Sequence, residues 1–319
     1  MEKDQLTLTV DLGGTRSKIG VFGQGQLMVY GIYPSFKKEN TSHNMALVSD
    51  HVKSLCQDHQ LDYNTIKYVG LAFPGLVNTD ESYVISSSGK YEDADEFDFK
   101  NWAMDYFKSK ICMDNDSRLA CLGERYFGAG KDFSNMVTVT FGTGIGTGVI
   151  INNKLLIGKH YQAGCLGGHV PVVTAGRKCH CGNEGCLEAE ASLVALEEYA
   201  SLMPDYKESQ LGGKRNFSFQ HLFEAYRQKD EVAIQTANYC MDLWATGLIS
   251  YIHMYDPEVI IVGGGIMQSK DIIIPYFQDK VDRLAWTPSH KVQIVVASLD
   301  DKAGVYGAYA MCNNRIEIY

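Results

Sequence analysis

The chain has 319 residues, 45% of them hydrophobic and 21% charged, a soluble globular composition whose length favours two domains. A formal net charge of −9 without any run of Lys or Arg argues against nucleic acid or an anionic membrane as the main partner, and for a small molecule. The start MEKDQLTLTV holds no signal-peptide segment and no stretch is apolar enough to span a bilayer, so the expected place is the cytoplasm, with the 9 cysteines as reduced thiols rather than a disulfide framework.

In chain order, TLTVD (7–11) is a β-rich run ending at Gly13-Gly14-Thr15, and SKIGVF and QLMVYGIY continue as two strands joined at GQGQ. This predicts three antiparallel strands, with Asp11 at a strand end beside a glycine turn whose N–H groups can approach an anion. TSHNMALVSDHVKSLCQDHQ has helical spacing, IKYVGLAFPG is a strand that Pro74-Gly75 ends, and residues 78–96 read as loop. FDFKNWAMDYFKSK predicts an amphipathic helix, and KICMDND a short strand that breaks into a helix at Ser117. Asp116 stands at that seam, where it can be the helix N-cap or face a ligand.

VTVTFGTGIGTGVIINNKLL (137–156) repeats the opening plan around a second turn, Gly142-Thr143-Gly144. Two such halves, each followed by alternating helices and strands, predict a duplicated α/β architecture with the two glycine turns facing across a cleft. The next stretch, GHVPVVTAGRKCHCGNEGCLE (168–188), offers His169, Cys179, Cys181 and Cys186, the four ligands of a closed tetrahedral zinc site. Such a site keeps no open position for water, so the zinc is expected to be structural and to hold Glu188 with its loop. Glu188 to Ser201 predicts a helix, 202–217 an exposed connection, and DEVAIQTANYCMDLWATGLISYIHMY a long helix stopped by Asp256-Pro257. EVIIVGGG is a buried strand entering Gly263-Gly264-Gly265, which can admit a nucleotide base against bare backbone or serve tight packing alone. HKVQIVVASL reads as the last strand and DDKAGVYGAYAMCN as a final helix.

The order of these features resembles the ROK family (repressors, open reading frames and sugar kinases), which has the actin-like ATPase fold. Asp11-Leu12-Gly13-Gly14-Thr15, with Arg16 beside it, looks like the family's first phosphate motif, Gly142-Thr143-Gly144-Ile145-Gly146 like its second, and Ile261-Val262-Gly263-Gly264-Gly265 like its adenosine motif. Asn115-Asp116 stands where the family has its catalytic Asn-Asp, and Gly168-His169 followed by Cys-x-Cys-Gly-x-x-Gly-Cys-x-Glu resembles its signature loop. The resemblance covers Leu6 to Ala310. It implies two actin-like domains, residues 1–116 with a helix of about 301–319 packed back on them, and residues 117–300 with the zinc loop 169–188. It further implies ATP, magnesium and structural zinc as cofactors, a sugar between the domains, no nucleic-acid or membrane partner, and a homodimer or higher homo-oligomer.

In that scheme Asn115, His169 and Glu188 hydrogen-bond the sugar, Asp116 takes the proton of the attacking hydroxyl, and Asp11 orients magnesium through water. The chain departs from the family in three places. Leu166 replaces the usual Glu three residues before the zinc histidine, Asn-Asp-Ala-Asn has become Asn115-Asp116-Ser117-Arg118, and a family asparagine is replaced within Ser86 to Ser88. Arg118 can be a surface cation or can face the cleft, where with Ser88 it would replace lost sugar contacts or by its forked donors hold an acidic substituent. Two function classes follow: an ATP-dependent kinase of a hexose or hexosamine, and a sugar-binding or otherwise non-kinase protein with an altered pocket. The DNA-reading members carry an N-terminal helix-turn-helix, for which no room precedes the first strand of this sequence.

Overall fold

A computed structural model describes residues 5–87, 89–214, 217–313 and 317–318. Two compact units emerge: Met1–Asp132 with Lys154–Gly164 and Asp301–Tyr319, and Phe133–Asn153 with Cys165–Asp300.

The first unit opens with β1 (Leu6–Leu12), β2 (Arg16–Gly23) and β3 (Gln26–Pro34), antiparallel as the two turns between them require. Helix α1 (Thr41–Asp58), capped by the Asn40 side chain, leads to β4 (Ile66–Phe73). In place of the loop expected from residue 78 onward, β5 (Leu76–Asn78) and β6 (Tyr83–Ser86) form a small hairpin that buries Val77 and Val84. Helix α2 (Phe99–Phe107), β7 (Lys110–Asn115) and α3 (Asp116–Phe127) follow. The sheet order is β3-β2-β1-β4-β7, with β4 parallel to β1 and β7 parallel to β4. Asp11 pairs with Ala72 and Ala72 with Asp114, so β1 and β7 end at one edge of the sheet, two strand spacings or about 10 Å apart. That edge carries Asp11 and Asp116.

In the second unit β8 (Met136–Phe141) and β9 (Ile145–Ile151) form a hairpin around Gly142–Gly144, after which β10 (Lys154–Leu155) opens the Lys154–Gly164 segment of the first unit. The single helix expected over Glu188–Ser201 is two, α4 (Leu187–Ala191) and α5 (Leu193–Ser201), broken at an extended Ser192. The Ala191 carbonyl is diverted to the Trp244 indole N–H, 3.1 Å away, which takes it out of the helical ladder. Helices α6 (Phe219–Arg227) and α7 (Glu231–Tyr255) precede β11 (Val259–Gly263), α8 (Lys270–Leu284) and a last strand β12 (Gln293–Val296) shorter than expected. The order β9-β8-β11-β12 repeats β2-β1-β4-β7 strand for strand, with β11 parallel to β8 and β12 parallel to β11. Trp244 sits fully buried between Phe141, Phe219 and Phe277 in this unit's core. No helix among the described residues is long and apolar enough to cross a membrane.

The chain then returns to the first unit as α9 (Ala303–Cys312) and β13 (Glu317–Ile318), the latter parallel to β10. Helices α3 and α9 cross so closely that a Cβ on Gly307 would lie 1.7 Å from the Leu119 carbonyl oxygen, and one on Gly123 2.2 Å from that of Ala303. This contact moves the domain boundary. The break expected between 116 and 117 lies instead near 132, because α3 buries its face against α9 and the sheet of the first unit.

Candidate active site

The first unit's half of the site is built at the shared ends of β1 and β7. Gly13 closes its turn by donating its N–H to the Arg16 carbonyl, 3.0 Å away, while the amides of Gly14 and Thr15 make no hydrogen bond among the described residues. Those two N–H groups are the free donors an anion could use. The turn is clamped from below: the Gly13 carbonyl accepts from Ser35 Oγ at 2.7 Å and from Tyr91 Oη at 2.6 Å, and the two hydroxyls touch each other. Asp11 accepts from Lys18 Nζ at 2.7 Å.

Asn115, not Asp116, caps α3, accepting at Oδ1 from the amides of Ser117 (3.0 Å) and Arg118 (3.2 Å). Its Nδ2 donates to the Gly75 carbonyl at 3.0 Å, so at most one amide hydrogen remains for a ligand. Asp116 occupies the first helical position, half-buried, with Oδ1 held by the Ser117 amide at 2.7 Å and hydroxyl at 3.2 Å. Burial pushes its carboxyl above the usual Asp range, and the like charge of Asp11 adds to this. The Lys90 ammonium and the Ser117 bonds oppose the rise. A carboxylate relieved of capping, poised at the strand ends with its basicity raised, has the chemistry of a general base.

Arg118 corrects both expectations held for it. It is neither a surface cation nor a sugar ligand: its side chain is 0% exposed and all its donor nitrogens are engaged within the first unit. Nη1 bonds Asp114 Oδ1 at 2.9 Å, Nε bonds the Ala163 carbonyl at 3.1 Å, and Nη2 reaches the carbonyls of Tyr161 and Ala163 (both 2.8 Å) and Ile157 (3.3 Å). The forked guanidinium collects one charge and three carbonyls, which a bend at 157–163 presents together. Ser88 lies outside the described residues.

In the second unit the turns Gly142–Gly144 and Gly263–Gly265 leave the C-terminal ends of the neighbouring parallel strands β8 and β11, where open α/β sheets bind ligands. Gly264 is left-handed (φ 94°) and a Cβ there would lie 2.1 Å from the Phe141 carbonyl oxygen, so glycine is required for packing. Gly265, with nothing within 4 Å of that position, leaves open space. Glu188 reaches the other turn: its Oε2 accepts from the Ile145 amide at 2.6 Å, and a Cβ on Gly144 would meet the same oxygen at 2.4 Å. A cavity of about 500 Å³ opens beside it, lined by Thr143, Arg177, His180, Glu188, Ser192 and Glu198.

The four predicted metal ligands converge, with one ligand atom from each of His169, Cys179, Cys181 and Cys186 within 4.8 Å of all the others. Cys181 and Cys186 Sγ are 3.6 Å apart, and Cys179 Sγ lies 3.5 Å from His169 Nδ1. A tetrahedral zinc ion with bonds of 2.0–2.3 Å separates two sulfurs by about 3.8 Å and sulfur from nitrogen by about 3.6 Å, so the cluster fits that ion. Burial lowers the His169 pKa, with Glu188 acting against this and His180 reinforcing it, which favours the neutral ligand form. Nδ1 is the His169 nitrogen that faces Cys179 Sγ, which leaves Nε2 on the other side of the ring. The left-handed Gly185 (φ 71°) keeps the knuckle closed, because a Cβ there would lie 1.8 Å from the Val173 carbonyl oxygen. Leu166 is 38% exposed just before the short 3₁₀ turn that carries His169.

Sequence reasoning missed Ser35, Lys37, Lys90 and Tyr91 around the first turn, and His180 beside Glu188. The first four come from segments over 20 residues away, with no local pattern to mark them. His180 lay inside the knuckle and could have been read as a second imidazole near the site, since His169, His180 and Glu188 also group within 4.8 Å.

The sequence profile of the ROK family matches residues 7–315. Glucokinase of Thermotoga maritima is 30% identical over 316 residues, 96% of this chain and 97% of that protein. The DNA-binding transcriptional dual regulator NagC of Escherichia coli is 25% identical over 285 residues, 88% of this chain and 68% of the regulator. Among solved structures, a ROK family glucokinase from Streptomyces griseus in complex with glucose and AMPPNP has a TM-score of 0.80 at 27% identity, covering 97% of this chain and 99% of that one. The duplicated sheets, the two glycine turns, the Cys/His knuckle and this end-to-end likeness have one explanation: the chain is a member of the ROK family, with its actin-like ATPase fold.

Proposed function

We propose that the protein is an ATP-dependent, glucokinase-like sugar kinase that transfers the γ-phosphoryl group of ATP to a hydroxyl of a hexose or hexosamine, with Asp116 as the general base. The family and its full-length glucokinase relatives support the enzyme class. The observation that carries the assignment of the base is the position of Asp116, freed from capping by Asn115 and raised in pKa at the strand ends. A sugar hydroxyl attacks poorly until a carboxylate accepts its proton. Charge that spreads over the transferring group is met by the open amides of Gly14 and Thr15, with Thr143 and Gly144 expected to do the same in the second unit. Asp11 would hold magnesium through water, and the ion when bound supplies charge neutralisation at the phosphates. His169, Cys179, Cys181 and Cys186 would hold one zinc, whose chemistry is structural, and Glu188 and His169 Nε2 would meet sugar hydroxyls.

Leu166 favours a second reading, a sugar-binding protein without kinase activity, because an apolar side chain stands where family kinases place a charged sugar ligand. Sugar-dependent ADP release over a panel of hexoses and hexosamines separates the two. Saturable release with at least one sugar supports the kinase. Tight sugar binding with no release under any condition overturns it.

A further inference from the structure

Two lysines flank the first glycine turn. A Cβ on Gly14 would lie 3.3 Å from Lys37 Cδ and 3.6 and 3.8 Å from Lys90 Cδ and Cε, so both stems pass beside Gly14, the first of the two residues whose amides are left free for an anion. Their placement is built rather than incidental. The Tyr91 amide donates to the Lys37 carbonyl and the Lys90 amide to that of Ser87, both at 3.1 Å, while the Tyr91 and Ser35 hydroxyls hold the Gly13 carbonyl between the two lysine segments. Neither ammonium has an ion pair among the described residues. Two lysine stems that meet beside this turn bring two like charges to one side of it, an arrangement that a bound anion would relieve. The Lys90 charge also acts on Asp116, where burial and Asp11 push the carboxyl up and Lys90 pulls it down.

We propose that Lys90, with Lys37 beside it, is a further catalytic residue whose ammonium binds the terminal phosphoryl group of the nucleotide next to the hydroxyl that Asp116 deprotonates. The inference rests on the kinase reading for its chemistry and deepens it. In the transfer, the hydroxyl proton goes to Asp116 and the hydroxyl oxygen forms the new O–P bond. The bond from the γ-phosphorus to the bridging oxygen breaks, with its electron pair leaving on ADP. Lys90 gives up no proton in this sequence. It balances charge on the three equatorial oxygens and keeps Asp116 ionised beside Asp11.

The test is the affinity of the wild type, Lys90→Met, Lys90→Gln and Lys90→Arg for a non-hydrolysable ATP analogue and for ADP, by calorimetry without sugar. Removing one charged hydrogen bond to the γ-phosphate weakens the analogue about tenfold or more while ADP changes less than about twofold, and Lys90→Arg restores most of the difference. In the sugar-dependent reaction the acid limb of kcat/KM moves to higher pH in Lys90→Met and Lys90→Gln but not in Lys90→Arg, since the group that pulls the Asp116 pKa down is gone. Equal weakening of both nucleotides, or no weakening, overturns the proposal, because a merely structural lysine does not distinguish them. If no sugar elicits ADP release from the wild type, the kinase reading fails while the analogue-to-ADP ratio still decides whether Lys90 grips the terminal phosphate.

Discussion

Replacing Arg118 by Met removes a buried charged group that ties α3 to the 157–163 bend. Asp114, itself 0% exposed, then keeps a buried carboxylate without its counter-charge, and the carbonyls of Tyr161 and Ala163 lose the guanidinium donor, while that of Ile157 keeps the Ala163 amide. Breaking a buried pair from one side costs roughly 3–5 kcal/mol, against a total stability of about 5–15 kcal/mol for a domain, and a shift of about 2–4 °C per kcal/mol makes this ~10 °C in Tm. Arg118→Lys keeps a charge for Asp114 but cannot reach three carbonyls, so it falls between the wild type and Met. Adding Asp114→Leu to Arg118→Met removes the stranded carboxylate and recovers part of the loss, a positive coupling that a double-mutant cycle reads directly. Thermal unfolding and hydrogen exchange of residues 157–164 are the assays. A Met variant within about 1 kcal/mol of the wild type, with unchanged exchange in that bend, refutes the argument that the guanidinium is a buried structural hub.

Elemental analysis should return one zinc per chain, lost in Cys181→Ser and retained in His180→Ala, which discriminates the four-ligand cluster from the alternative group of His169, His180 and Glu188. Because Glu188 sits two residues past Cys186, stripping the metal should weaken sugar binding more than nucleotide binding by calorimetry. Gly307→Ala, whose Cβ would meet the Leu119 carbonyl oxygen at 1.7 Å, should cost about 1–3 kcal/mol or more by forcing α3 and α9 apart, measured by denaturant unfolding. Leu166→Glu restores a charged ligand where the family carries one, and glucose turnover (kcat/KM) should rise about 10- to 100-fold. Unchanged turnover would show that Leu166 lies outside the sugar pocket.

The parts of the fold that obey local rules were legible in the sequence. Strands broken by Gly13-Gly14 and Gly142-Thr143-Gly144 announced the two antiparallel openings, and the spacing of Cys179, Cys181 and Cys186 announced the knuckle. What stayed hidden depends on partners far along the chain. Arginine is a surface residue by composition, and nothing near 118 reveals three acceptors about 40 positions later. The break at Ser192 comes from an indole 53 residues ahead, and the domain boundary from two glycines whose helices meet only in three dimensions. Asp116 was ambiguous because Asp and Asn cap equally well; the structure gives that task to its neighbour Asn115.

The account therefore turns on Asp116→Asn, assayed beside the wild type for sugar-dependent ADP formation across pH, with Tm as the folding control. The substitution preserves size and leaves the cap intact, so the protein should fold at least as stably. A carboxyl whose pKa is raised on folding binds more protons native than unfolded, so the wild type loses stability as pH rises through that window, and Asn escapes the loss. Phosphoryl transfer should fall by about 10²–10⁴-fold while sugar and nucleotide still bind, and wild-type kcat/KM should decline on the acid side at a higher pH than an ordinary Asp would set, near 3.9. Near-wild-type ADP formation by Asp116→Asn, with its acid limb unchanged, would contradict the account.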